Sequence, residues 1–209
     1  MSDDAAARDR LVDRLARQER VDDERALAAI RSVPRHAFVP ESRRASAYED
    51  TPLPIGEGQT ISAPHMVAIM LDVLDLEPGH RVLEVGTGCG YHAACTAELV
   101  GASNVYSVEY HDHLAGQARR RLDRLGYGDV SVRTGDGANG WPEHAPYDRA
   151  YLTCAADDVP DAVVDQLRPD GVVLAPVGTR RQTLVRGVKR SDGSLRRSDH
   201  GGVRFVRMQ

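Results

Sequence analysis

Apolar positions along this chain switch between two spacings. In the first fifty residues they recur at helical intervals. Leu11 and Leu15 share one face of AARDRLVDRLARQ, with Val12 beside them, and Asp13 sits four residues before Arg17, a helix-supporting pair. DERALAAIRSV is a second helical run, with Asp22 as candidate N-cap and Pro34 as its stop. HAFVPE and RRASAY then lead into PLPIGEGQTISAPHM, Pro52 to Met66, a polar stretch rich in turn residues that has neither strand nor helix spacing. Helical spacing resumes in HMVAIMLDVLDL, at Met66, Val67, Met70, Val73 and Leu74, and EPGH closes it.

Beyond this point short buried runs alternate with helical ones. RVLEV, NVYSVE, VSVRT, YDRAYLT and GVVLAPV read as strands, while YHAACTAELV, HLAGQARRRLDRLG and VPDAVVDQL read as helices. Strands alternating with helices predict an α/β fold with a doubly wound, mostly parallel sheet. The end of the chain breaks that rhythm: TLVRGVKR, SDGS and GGVRFVRM read as strand, turn and strand, an antiparallel hairpin on the sheet edge. The expected organisation is one domain over 1–209, with an N-terminal helical segment (1–50), a loop (51–66), an α/β core (67–178) and a C-terminal hairpin (179–209).

Composition narrows the function classes. The 209 residues are 41% hydrophobic and 28% charged, with a formal net charge of -4, which gives no general attraction to nucleic acid or anionic membrane. Lys189 is the only lysine, and it clusters with arginines 180, 181, 186, 190, 196 and 197 in the hairpin region. No aromatic residues interleave with these charges, so a solvated, aggregation-resistant edge is the expected reading. The three cysteines, Cys89, Cys95 and Cys154, form no C-x-x-C pair, so neither a disulfide framework nor a zinc site is expected. Cys89 and Cys95 read as buried small residues. The opening MSDDAAARDR has no apolar core or cleavage pattern, and no apolar window is long enough to span a bilayer. A reducing cytoplasm is the expected address and a monomer the expected state. No metal is expected: His111 and His113 lie two apart at a helix start without a third ligand, and capping or exposure accounts for them. Ser62 does not sit in G-x-S-x-G, which argues against a hydrolase nucleophile.

The strongest local chemistry is VLEVGTGCGYH. A buried strand runs into Gly86, Gly88 and Gly90 and then a helix, an arrangement that lets backbone approach a ligand and offers free N–H groups. Two cofactors compete for such a turn. A dinucleotide fingerprint is G-x-G-x-x-G, and here the third glycine comes one place early, with Tyr91 where the fingerprint has glycine. Glu84 precedes the turn; a carboxylate there repels a pyrophosphate and attracts an ammonium or sulfonium. S-adenosylmethionine carries both cations and is the favoured ligand. Glu109 ends the next strand, about twenty residues on, where an acid reaches ribose hydroxyls, a feature NAD proteins share. Asp136 with Gly137, after the third strand, offers an acceptor for an adenine amine.

These segments together resemble the protein-L-isoaspartate O-methyltransferases. PLPIGEGQTISAPHMVA looks like that family's signature loop and VLEVGTGCGYHAA like its cofactor turn. GDGANGWPEHAPYDRAYLTCAA, LRPDGVVLAPVG and GGVRFV resemble its later segments. The resemblance implies a class I, Rossmann-like methyltransferase fold. It also implies methyl transfer from S-adenosylmethionine to the α-carboxylate of isoaspartyl residues in damaged proteins or peptides, with repair through a succinimide. It puts the active-site serine on Ser62, the flanking cofactor loop on Gln59, Thr60 and Ile61, and the cofactor acids on Glu84, Glu109 and Asp136. Two positions depart from the pattern: Cys89 where a small serine or alanine is expected, and a chain end reading FVRMQ. His65 has two open roles, contacting cofactor or substrate, or opening the helix. A relative that methylates ordinary aspartate in a peptide precursor is an alternative of the same class; an NAD-dependent oxidoreductase and a non-catalytic binding module are alternatives of other classes.

Overall fold

The computed structural model describes residues 3–18 and 21–209. Two helices open it, α1 (Asp3–Arg17) and α2 (Glu24–Ser32). α1 buries the expected Leu11, Val12 and Leu15. Two details differ from the sequence pattern. Asp23, not Asp22, caps α2, its Oδ1 accepting from Arg25 N at 2.8 Å. Asp13 reaches across to Arg31 of α2 at 2.8 Å, so this charge joins two helices.

The polar stretch after Pro52 is more ordered than its composition suggests. Leu53–Gly56 (β1) and Gln59–Ile61 (β2) form an antiparallel hairpin in which Leu53 pairs with Ile61. Its apolar residues are too few for a strand pattern to stand out, yet Leu53, Ile55 and Ile61 are all buried. Gly56, Glu57 and Gly58 turn the chain with φ of 103°, 51° and 69°. Pro64 then begins α3 (Pro64–Leu74), where its missing N–H costs nothing.

The main sheet follows in alternation: β3 (Val82–Val85), α4 (Tyr91–Val100), β4 (Val105–Glu109), α5 (Asp112–Arg124), β5 (Ser131–Thr134), β6 (Tyr147–Leu152), α6 (Asp161–Asp165), β7 (Leu167–Val177), β8 (Gln182–Lys189) and β9 (Leu195–Val203). Strand order is β5-β4-β3-β6-β7-β8-β9, parallel through β7 and antiparallel for the last two pairs. The chain builds outward from β3 to β5, then returns to the other side of β3 with β6. That reversal opens a crevice at the carboxyl ends of the central strands.

The two faces are covered unequally. Buried residues of α1 through α5 form one apolar cluster with Val82 and Tyr151. The opposite face packs Leu83, Val85 and Leu152 against Val163 and Val164 of α6. Against that cluster Tyr106 stacks on His144 and meets Trp141 and Tyr147 edge-on. Two boundaries moved. VPDAVVDQL is helical only to Asp165, since the chain enters β7 at Leu167 opposite Tyr147; the Gln166 amide accepts from Trp141 N and donates to Asn139 O, at 2.7 and 2.8 Å. The last strand is Leu195–Val203, earlier than GGVRFVRM suggests. The tail after it folds back to the end of the sheet, where Ala155 N donates to Val206 O at 2.7 Å and Met208 N to Ala155 O at 2.9 Å.

Candidate active site

At the carboxyl ends of β3 and β4 lies a cavity of about 750 Å³, solvent mouth included. That is the size of a small-molecule site. Gln59, Thr60, Ile61, Ser62, Gly86, Gly88, Glu109 and Gly137, all singled out in the sequence, line it. Its form depends on backbone that only glycine adopts. Gly86 has φ of 97°, and a Cβ there would stand 2.3 Å from Thr153 Oγ1. Gly88 donates its N–H to Glu109 Oε2 at 2.7 Å, and His111 N donates to Glu109 Oε1 at 3.0 Å. Glu109 therefore ties the glycine turn to the end of β4, with the rest of its acceptor capacity at the cavity wall.

Three expected site residues do not line this cavity. Glu84 is fully buried. Side chains alternate along a strand, so Val85 faces the crevice side while Glu84 turns under α4. Its register partners are Ser107 on β4 and Tyr151 on β6, and both donate to its carboxyl oxygens, Tyr151 at 2.9 Å. Desolvation pushes the carboxyl up to about 8, against the pull of these two hydrogen bonds and with a further push from Glu109. Such a shift favours the protonated form near neutral pH, with the carboxyl proton then shared with Ser107 Oγ, so Glu84 underlies the cavity and presents no charge in its wall. Gly90 caps α4 with φ of 91°, and a Cβ would meet Leu122 Cγ at 3.3 Å, so its role here is packing against α5. Asp136 is exposed, its Oδ1 accepting from Ala138 N at 2.9 Å; its neighbour Gly137 is the one that reaches the wall.

Arg35 and His92 gave no signal in the sequence. Arg35 is fully buried and holds three carbonyls: Ala47 O at 2.6 Å, Thr51 O at 3.0 Å and Ser62 O at 3.0 Å. A buried guanidinium thus pins the hydroxyl loop to the N-terminal segment. Nothing in VPRHAF marks that arginine as different from its neighbours. His92 lines the cavity, is 6% exposed, and has no hydrogen-bond partner on either ring nitrogen among the described residues. It stacks on Tyr151 with ring centroids 4.4 Å apart, and burial lowers its pKa to about 3, so the imidazole is neutral. Tyr110, 54% exposed, stands at the rim, and Val206 to Gln209 of the tail close another side.

Cys89 and Cys95 are buried, as expected, with burial raising both thiols. His111 sits at the N-cap of α5 without a side-chain capping bond and lines the cavity instead. His113 lies 3.5 Å from Glu57 on the β1–β2 turn. His65 is the second residue of α3, and its N and Nδ1 both lie 2.9 Å from Asp50 Oδ1. It faces a second, more open groove that shares Thr60, Ser62, Thr153, Val206 and Arg207 with the cavity.

A doubly wound sheet with a glycine-turn cavity at its reversal point is the arrangement of the class I, Rossmann-like methyltransferases, and solved structures agree. A protein-L-isoaspartate O-methyltransferase superposes with a TM-score of 0.88 at 32% identity, covering 96% of this chain and 65% of that one. A Plasmodium falciparum beta-aspartate methyltransferase (PCMT) in complex with S-adenosyl-L-homocysteine shares the fold, with a TM-score of 0.84 at 24% identity, covering 100% of this chain and 99% of that one. Among curated relatives, protein-L-isoaspartate O-methyltransferase 2 of Archaeoglobus fulgidus is 55% identical over 95% of this chain and 91% of its own. The Methanopyrus kandleri enzyme is 52% identical over 96% and 90%. The protein-L-isoaspartate(D-aspartate) O-methyltransferase (PCMT) family profile matches residues 6–209, and the chain belongs to that family.

Proposed function

We propose that this chain transfers a methyl group from S-adenosylmethionine to the α-carboxylate of L-isoaspartyl residues in proteins and peptides, the step that starts their repair through a succinimide. Family membership supports the reaction, and one observation carries its geometry: Thr60 and Ser62 line both the cavity and the adjoining groove. A donor in the first and an acceptor in the second would meet at Ser62. Membership also sets aside the dinucleotide oxidoreductase alternative.

The cavity suits the cofactor on its own terms. Backbone is bare at Gly86, Gly88 and Gly137, a carboxylate faces inward at Glu109, and His92 offers a neutral donor and acceptor without hydrogen-bond partners among the described residues. Apolar walls come from Val67, Val85 and Val108. The residues that would hold the cofactor are Gln59, Thr60, Ile61, Gly86, Gly88, Glu109, Tyr110 and Gly137, with Asp136 at the margin; Glu84 lies beneath the turn, linked to Thr87 through Ser107. When bound, the cofactor supplies an electrophilic methyl on a sulfonium.

The acceptor needs no base. An α-carboxyl group titrates near ~3.5 and is ionised at neutral pH. The protein has to position and desolvate that anion without quenching it. Ser62 is half-buried, its main-chain carbonyl held by Arg35, and its hydroxyl is a neutral donor. An arginine clamp would bind the carboxylate more tightly and lower its nucleophilicity. The cytoplasm and a monomeric state complete this reading; among the described residues no helix is long and apolar enough to cross a membrane.

Transfer of labelled methyl groups to an isoaspartyl peptide, with the matched aspartyl peptide as control, tests the assignment. Transfer to the aspartyl peptide alone would replace it with the peptide-precursor alternative. Ser62→Ala should lower kcat for the isoaspartyl peptide about 100-fold, while S-adenosylhomocysteine affinity stays within about two-fold. Equal loss of both would remove the positioning role.

A further inference from the structure

The basic residues near the C-terminus do not form one solvated edge. Arg186 donates to Val73 O at 3.0 Å, Lys189 to Asp165 O and Leu167 O, and Arg197 pairs with Asp158 at 2.7 Å. Arg207 pairs with Asp157 at 2.6 Å. Arg190 and Arg196 are exposed and carry no ion pair among the described residues, but they lie away from the groove; Arg180, Arg181 and Arg204 are on it. All three are exposed, all line the groove beside Ser62, and none has an ion pair or side-chain hydrogen bond among the described residues.

Their grouping is built by the fold. Gln182 opens β8 opposite Val203 at the end of β9. Its side chain then clamps the departing tail, Oε1 accepting from Phe205 N at 2.6 Å and Nε2 donating to Phe205 O at 3.1 Å. That clamp brings Arg204 alongside Arg181, with Arg180 next in the chain. No aspartate or glutamate lines the groove among the described residues, although the whole chain carries a net charge of -4. Pro52, Met66 and Phe205 add apolar surface to the same walls. A concave, acid-free wall with unpaired guanidiniums concentrates anionic partners. Its apolar patches suit the side chains of a peptide better than a uniform phosphate backbone.

We propose that Arg180, Arg181 and Arg204 make this chain select isoaspartyl segments flanked by acidic residues. The inference rests on the isoaspartyl acceptor assigned above and adds which segments are preferred. The guanidiniums act on residues beside the modified one, leaving its own carboxylate to Ser62. Exposed charge pairs contribute about 1.5- to 5-fold each and are screened by salt. Three of them yield about ten-fold between acidic and basic flanks.

The test uses the full chain and three isoaspartyl peptides of equal length whose flanking residues are all Glu, all Gln or all Lys. In low salt, kcat/KM should favour Glu over Lys by about ten-fold, through KM with kcat level. The ratio should shrink towards one near ~0.5 M salt. Arg180→Gln, Arg181→Gln and Arg204→Gln together should abolish the preference, and the three Arg→Glu changes should invert it, with the Gln-flanked peptide reporting each variant's activity. Transfer with a flat or Lys-favouring ratio in the parent protein overturns the proposal while leaving the isoaspartyl reading intact. So does an unchanged ratio in the triple variant, or a flat ratio with strong inhibition by an RNA oligomer, which would assign the groove to nucleic acid. No transfer to any of the three peptides overturns both readings.

Discussion

Replacing Glu84 with glutamine separates the two descriptions of this residue most sharply. The carboxyl titrates at about 8 in the folded chain, against an ordinary value of 4.5, chiefly because burial disfavours its charge. Below 4.5 both folded and unfolded chains carry the proton, and the pH has no leverage through this group. As pH rises from 4.5 to about 8 the unfolded chain loses the proton and the folded chain keeps it. Stability therefore falls by ~1.4 kcal/mol per pH unit across that window, on the order of 5 kcal/mol in all, and levels off above it. Glutamine keeps the shape of the neutral acid and has no proton to lose. It must share Ser107 and Tyr151 with an amide in place of a carboxyl, a mismatch of about 1 kcal/mol. Glu84→Gln should therefore be slightly less stable than the parent at pH 5 and more stable by ~4 kcal/mol at pH 8.5. Urea denaturation of both proteins across that range measures the difference, in which the contributions of other titrating groups cancel. Dissociation of S-adenosylhomocysteine should change by no more than about three-fold. A folded Glu84→Gln protein with a stability difference flat in pH, or with cofactor affinity lost, would refute the picture of a neutral, sequestered acid.

Two further substitutions probe the architecture around the site. Arg35→Lys keeps the charge but cannot reach Ala47, Thr51 and Ser62 together; losing one or two charge-assisted bonds should cost ~2–4 kcal/mol in urea unfolding and lower kcat/KM for an isoaspartyl peptide about ten-fold. A variant with parental stability and turnover would show that the Ser62 loop needs no such anchor. Gly86→Ala forces φ of 97° on a residue with a Cβ and drives that atom into Thr153 Oγ1; it should lose ~2–4 kcal/mol and most cofactor binding, and calorimetric titration showing parental affinity would contradict the close backbone approach.

Much of this protein was legible in one dimension. The change from helical spacing to alternating short strands and helices determined the doubly wound sheet, because each element buries a face of fixed period. The glycine turn and the hydroxyl loop stood out because they need particular residue types at adjacent positions. Resemblance across most of the chain identified the family. What the string could not contain is where side chains point and what meets them from afar. Glu84 and Glu109 look alike as acids at strand ends, yet strand parity turns one beneath α4 and register places Ser107 and Tyr151 on it, while the other faces the cavity. Arg35 and the 204–209 tail act on Ser62 and Ala155 across long separations that no local pattern encodes. Local propensity follows neighbours along the chain, whereas burial, and with it charge state, depends on neighbours in space; only the folded chain decides the second.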